Sequence, residues 1–337
     1  MSGCFIIAEA GVNHNGSLDL AKRLVDAALK AGADAVKFQT FRAERLVTRT
    51  AERASYQKKN VRGKESQYQM LKRLELSFDD FSRLKKYCDK KRIEFLSTPF
   101  DEESARFLVG ELGMKRIKVP SGEIVNLPFL RSLASLQRPL IVSTGMSDLQ
   151  EIRRAVEAVS KAPGLTLLHC TTNYPCPDEE VNLRAMLTLK ETFRVPVGYS
   201  DHTMGIEVPV AAVALGASVI EKHFTLDRKM KGPDHRASLE PREFKAMVGA
   251  IRKVERALGS PEKRPTASEI EIRRVARRSL VAIKPLPVGA EITEGDLQAL
   301  RAGDGLPPDA IGRIIGLRLK VAKKVGEPIR REDLYGS

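Results

Sequence analysis

Tryptophan is absent from the 337 residues, aromatic side chains make up only 5%, and histidine occurs five times. A nucleic-acid surface needs a focused basic stripe, commonly interleaved with stacking aromatics. Here 57 Lys and Arg outnumber 43 Asp and Glu for a net charge of +14, yet the basic residues are scattered. Such an excess suits small anionic substrates, phosphates or carboxylates, and no nucleic acid is expected as a partner. The four cysteines (Cys4, Cys88, Cys170, Cys176) form no CxxC pair, the usage of a reduced, cytoplasmic protein. No basic segment precedes the apolar FIIA near the start, so no signal peptide is expected. The longest apolar stretch, 208–220, is too short to span a bilayer, and no membrane partner is expected.

What is present is an ordinary globular balance, 42% hydrophobic against 30% charged, enough for a substantial core. Short β-branched runs alternate with amphipathic segments through roughly the first 260 residues, the order of a parallel α/β fold. Eight strands are expected: 4–10, 35–40, 94–100, 116–122, 140–145, 165–171, 195–201 and 218–224. Between the first two, Ser17 can cap a helix that stops at Gly32, with Leu20, Leu24, Ala27 and Ala28 on one face. Eight βα units in this length predict a TIM (β/α)8 barrel over 1–262. The 53 residues between the second and third strands exceed a plain connection, and their polar, basic part (48–70) is expected to cover substrate. Residues 263–275 read as a linker, and 276–337 as a small β-rich domain near the lower size limit for independent folding.

In such barrels the chemistry sits at the C-terminal strand ends. Those ends carry Glu9, Lys37 with Gln39, Thr98, Lys118 with Ser121 and Glu123, Ser143, His169, Ser200 with Asp201 and His202, and Glu221 with His223. All five histidines, His14 and His235 included, lie at or just beyond a strand end. Two neutral imidazoles from adjacent strands, His202 and His223, can bind a borderline divalent ion and leave positions open for substrate. The competing reading is a histidine–carboxylate hydrogen-bond pair without metal. Lys37 and Lys118 end apolar strands, as Schiff-base nucleophiles or as clamps on an anion would. Neighbouring Thr98, Ser121 and Ser143 favour the clamp, because hydroxyls and ammonium groups converge on phosphate or carboxylate oxygens. Cys170 and Cys176 read as small buried hydrophobes.

The motifs AEAGVNHNG (8–16), VKFQTF (36–41), FLSTPFD (95–101), KVPSGEI (118–124), STGM (143–146), LLHCTTNYP (167–175), YSDHT (199–203) and EKHFTLD with GPDH (221–235) resemble those of the sialic acid synthases. SLVA (279–282) and LRAGDGL (300–306) are similar to the antifreeze-like, or SAF, domain of that family, a β-clip fold. The resemblance covers essentially the whole chain in order. It implies synthesis of N-acetylneuraminate from phosphoenolpyruvate and N-acetylmannosamine, with phosphate released. The alternative within the same plan is legionaminate, made from 2,4-diacetamido-2,4,6-trideoxymannose. The resemblance further implies a divalent metal on His202 and His223, Mn2+ first, with Mg2+ or Co2+ as alternatives. It places phosphoenolpyruvate on Lys37, Thr98, Lys118, Ser121, Ser143 and Ser200. It assigns Glu9 and Glu123 to water or proton handling, and Gln39, Tyr174 and Asp234 to the sugar side. Arg301 would reach the sugar's N-acetyl group across a domain-swapped homodimer. Two departures stand out: Thr172 where some members carry Asn after HCT, and Arg277 and Arg278 where some carry an aromatic. A non-catalytic carbohydrate-binding protein and a Schiff-base aldolase remain as alternatives of other classes.

Overall fold

The structure, a computed structural model, describes residues 3–54, Gln57, Asn60 and 65–336. Its first unit, Met1–Gly259, is built on eight strands. They are β1 (Phe5–Gly11), β2 (Ala35–Thr40), β3 (Glu94–Pro99), β4 (Ile117–Val119), β5 (Leu140–Ser143), β6 (Leu165–Cys170), β7 (Val197–Asp201) and β8 (Val219–His223). Pairing is parallel throughout and runs β3-β2-β1-β8-β7-β6-β5-β4. The two ends of that order, β3 and β4, lie side by side and close the ring. The (β/α)8 barrel expected from the sequence is therefore the observed fold.

Helix α1 (Leu18–Ala31) starts as the sequence predicts, with Leu20 N–H donating to Ser17 Oγ, and ends at Gly32. Its buried face differs from the expected one. Ala21, Leu24, Val25, Ala28 and Ala31 are buried, whereas Leu20 and Ala27 are only half-buried, because packing rotates the apolar stripe toward the barrel. The long excursion between β2 and β3 contains α2 (Gln67–Leu74) and α3 (Phe78–Lys91), both begun by serine capping boxes. Part of the polar segment expected to cover substrate (55–56, 58–59 and 61–64) lies outside the described residues.

The site is positioned by the two-residue period of the strands. On β8, Ile220 joins the apolar layer between strands and helices, while Val219 faces the barrel interior. The interior layer Ile7, Ala35, Leu96, Ile141, Leu168 and Val219 plugs the barrel with hydrocarbon. Two residues further along the same strands stand Glu9, Lys37, Thr98, Ser143, Cys170 and Glu221. A fully apolar floor thus carries a polar storey directly above it.

The second unit, Ser260–Ser337, has its own small core of Leu280, Ala282, Leu286, Ile292, Leu297, Ala310, Ile314, Leu319, Ile329 and Leu334. Its sheet is a single antiparallel pair, β9 (Ser279–Ala282) with β10 (Leu297–Leu300), extended by isolated bridges such as Leu286 to Lys323 and Leu319 to Leu334. The stretch read as a linker is largely helical, with Ala267–Ala276 capped by Thr266 and Glu269 and carrying no buried residue. No helix among the described residues is long and apolar enough to cross a membrane.

Barrel closure tolerates no side chain at Gly198 on β7. A Cβ there would lie 2.3 Å from the Val219 carbonyl oxygen and 2.7 Å from Leu168 Cδ2. Gly198→Ala is expected to cost roughly 1–3 kcal/mol by overpacking, read as a lower urea midpoint with unchanged m-value.

Candidate active site

Glu9, Lys37, Gln39, Thr98, Lys118, Ser121, Ser143, Tyr174, Ser200, His202, His223 and Asp234 all line one cavity at the C-terminal end of the barrel. Glu123 does not. It follows β4 in a short 3-10 turn at the surface, where its carboxylate accepts from Asn126 Nδ2. Its neighbours Ser121 and Gly122 do line the cavity, so of this turn the structure brings those two, and not Glu123, to the lining. Arg301 lies exposed in the second unit.

The floor of the cavity is a balanced cluster of buried charge. Lys37 Nζ lies 2.7 Å from Glu9 Oε2 and 3.7 Å from Glu221 Oε2, and donates to Thr98 Oγ1 at 3.0 Å. Lys118 Nζ donates to Ser143 Oγ at 2.8 Å and lies 3.6 Å from Glu221 Oε1, which also accepts from Ser200 Oγ. Glu221 therefore sits between the two ammonium groups. Sequence reasoning named it at the strand end without giving it a role, although the alternation from Val219 places it on the interior face.

The two lysines are not equally satisfied. Burial works against both charges. Glu221 and Glu9 outweigh it at Lys37, whose pKa is raised. At Lys118 burial wins, Glu221 notwithstanding, and the pKa is lowered. Burial and the neighbouring Glu221 push Glu9 up despite Lys37, whereas Lys118 and Lys37 overcome burial and hold Glu221 down. An ammonium short of negative charge in a desolvated site favours an incoming anion. Around it Ser121 Oγ accepts from the Gly145 N–H at 3.0 Å. Gly145 has no room for a Cβ, which would lie 2.2 Å from Thr172 Oγ1.

Above this floor the His202 and His223 rings stand 5.5 Å apart between centroids, with the Tyr174 ring 4.0 Å from His202. His202 Nδ1 is 2.7 Å from the Thr171 carbonyl oxygen, so that nitrogen carries a proton and Nε2 is the position left for a ligand. Burial lowers the ring's pKa, but Cys170 and the Thr171 carbonyl outweigh it and the pKa is raised. Burial, then His202 and the surrounding lysines, hold the His223 pKa well below its ordinary value, and the ring is a neutral donor. His223 Nδ1 and Asp234 Oδ1 are buried without a hydrogen-bond partner. Among the described residues no three His, Cys, Asp or Glu side chains form a ready metal cage. The donor set that fits is an open one, two imidazoles with the remaining positions left to water and substrate. The other histidines are structural: His14 Nδ1 accepts from Gly16 N–H, His169 Nε2 donates to the Val181 carbonyl, and His235 Nδ1 meets Thr225 Oγ1.

One wall is apolar. Val12, Phe100, Met70, Leu71 and Leu74 line it, the last three from α2, with Gln57 nearby. The excursion between β2 and β3 thus reaches the cavity through its helix, a feature that its basic composition did not reveal.

A barrel whose rim gathers two buried lysines, serine and threonine hydroxyls and two imidazoles in one cavity has the arrangement of an enzyme active site. The NeuB family is matched over residues 24–263 and the SAF domain over 277–334. The N,N'-diacetyllegionaminic acid synthase of Legionella pneumophila is 52% identical, over 98% of this chain and 94% of its own. That of Campylobacter jejuni is 48% identical over 96% and 97%, and human N-acetylneuraminate-9-phosphate synthase 38% over 98% and 92%. The solved N-acetylneuraminic acid synthetase of Leptospira borgpetersenii superposes with a TM-score of 0.70 at 37% identity, over 81% of this chain and 92% of that one. The chain belongs to the NeuB family and is a phosphoenolpyruvate-condensing nonulosonate synthase with a C-terminal SAF domain.

Burial first, then Glu9, raises the Asp234 pKa from 3.8 to about 7. Between these values the folded state binds the proton more tightly than the unfolded chain, so stability falls as pH rises. Relative to Asp234→Asn, the wild type is expected to lose at most about 1.4 kcal/mol per pH unit within that window, and nothing further above it. Urea titrations of both proteins across the range check this.

Proposed function

We propose that the chain condenses phosphoenolpyruvate with 2,4-diacetamido-2,4,6-trideoxymannose to give legionaminate. The observation that carries the choice is similarity. Two N,N'-diacetyllegionaminic acid synthases match at 52% and 48% over nearly their whole lengths, against 38% for the human N-acetylneuraminate-9-phosphate synthase. This favours the alternative over N-acetylmannosamine, the acceptor first expected from the motifs. The apolar wall of Val12, Met70, Leu71, Leu74 and Phe100 supports it. A 6-deoxy sugar with two acetamido groups presents methyl groups where N-acetylmannosamine presents hydroxyls, and hydrocarbon receives them without stranding a polar group.

In this reading Lys37, Lys118 and the hydroxyls of Thr98, Ser121, Ser143 and Ser200 grip the phosphate and carboxylate of phosphoenolpyruvate. Their fixed positions hold its methylene carbon toward the aldehyde of the open-chain sugar, and positioning contributes much of the rate. The methylene carbon bonds to the aldehyde carbon, and the aldehyde oxygen takes a proton, for which Asp234 is placed. Water then adds at the former enol carbon, and phosphate departs with the bridging oxygen to leave the ketone. Glu9, held by Lys37 and Gln39, is the carboxylate available to orient that water. A divalent cation, Mn2+ first, fits His202 and His223, and when bound supplies Lewis-acid polarisation of the aldehyde. The reading retains the domain-swapped homodimer, in which Arg301 meets the acceptor's N-acetyl group in the partner's barrel.

With both acceptors assayed side by side, phosphate release is expected to require phosphoenolpyruvate and sugar together. The kcat/KM for the diacetamido sugar should exceed that for N-acetylmannosamine at least tenfold; a reversed ratio restores the N-acetylneuraminate reading. Arg301→Ala is expected to raise KM for the sugar and leave KM for phosphoenolpyruvate unchanged. Equal effects on both would remove Arg301 from the acceptor site.

A further inference from the structure

Lys222 takes no part in the chemistry above, yet its side chain has no solvent exposure. It points from β8 to the side opposite Glu221 and His223. There Nζ donates to Asp201 Oδ2 at 2.5 Å and to the Thr203 carbonyl oxygen at 2.6 Å. Asp201 Oδ1 in turn accepts from the Thr203 N–H and Oγ1 at 2.9 and 2.8 Å. The residues immediately before and after His202 are therefore both tied to one ammonium group. That group belongs to the residue next to His223. Other holds on His202 come from elsewhere: Cys176 N–H donates to its carbonyl, the Thr171 carbonyl takes its ring N–H, Cys170 Sγ lies 3.7 Å from the same ring nitrogen, and the Tyr174 ring packs against it.

Desolvating a lysine and an aspartate costs several kcal/mol per ion, and a hydrophobic pair of similar volume packs as well or better. Packing alone therefore gives no reason for charge at this point. What the pair supplies is direction, because three hydrogen-bonded groups fix the backbone on both sides of one residue. We infer that Lys222, through Asp201 and Thr203, is a positioning residue that sets His202 against His223 and so fixes the spacing of the two imidazoles. The inference rests on the reading of that pair as the divalent-metal site. In proteins that bind metal, groups that orient a ligand from behind contribute about 10- to 100-fold in affinity.

The test uses the full chain stripped of metal and titrated with Mn2+, free ion being followed by electron paramagnetic resonance. His202→Ala serves as the reference for a lost ligand. Folded Lys222→Met is expected to bind Mn2+ about 10- to 100-fold more weakly than the wild type. Because this variant strands Asp201 and so lowers stability, Asp201→Leu with Lys222→Met is measured beside it. With both charges gone the double variant should regain the wild-type urea midpoint while its Mn2+ affinity stays low, a separation that a merely structural lysine would not produce. Thr203→Val, which removes one hydroxyl bond, should weaken binding several-fold. Wild-type Mn2+ affinity in any folded Lys222 variant, or in Thr203→Val should both Lys222 variants fail to fold, overturns the inference and leaves the metal reading intact. A wild-type chain that takes up no Mn2+ overturns the metal reading and the inference with it.

Discussion

Two lysines and two glutamates share one desolvated storey of the barrel, and the site depends on their balance. Lys37 is held between Glu9 and Glu221, and Lys118 between Glu221 and Ser143. Removing any one would leave an opposite charge buried without compensation, which costs far more than the pair contributes to stability. The cluster persists because it is useful. Glu221 with Glu9 outweighs burial at Lys37, whereas Glu221 does not at Lys118, which is left short of negative charge.

This arrangement is possible only over a dry base. Ile7, Ala35, Leu96, Ile141, Leu168 and Val219 seal the barrel beneath the charged storey and exclude water from below. The low polarisability of that plug strengthens each interaction above it. On the outer side of the strands Ile220 packs into the helix layer, and Lys222 finds its partner on β7. Strand β8 thus serves three surroundings at once: hydrocarbon inside at Val219, polar chemistry inside at Glu221 and His223, and an ion pair outside at Lys222.

Much of this was legible in the residue order. Alternating apolar runs announced eight strands, and polar residues at their ends announced which rim is active. His202 and His223 stood out because two neutral imidazoles on adjacent strands have a definite chemistry. Glu123 belongs to the turn after β4, where the strand period no longer dictates direction. Residues 263–275 combine both kinds of signal, a charged proline-containing start and the helix-like run IEIRRVARR (270–278). Thr266 and Glu269 close a capping box that local sequence alone can satisfy, and the helix follows over Ala267–Ala276. The apolar cavity wall from α2 lay hidden in a segment whose composition is dominated by its charged face.

By itself the sequence determined the architecture, the reactive rim and the family, since strand period, helix caps and motif order are local properties of the chain. Only the tertiary structure decided which charges balance which. Glu9 and Lys37 come from consecutive strands, but Glu221 comes from β8, the last barrel strand in the chain, and its distances to both exist only once β8 pairs with β1. The same holds for Lys222. In the chain it is a charge misplaced in a β-branched run, and only beside Asp201 on β7 does its position acquire a physical reason.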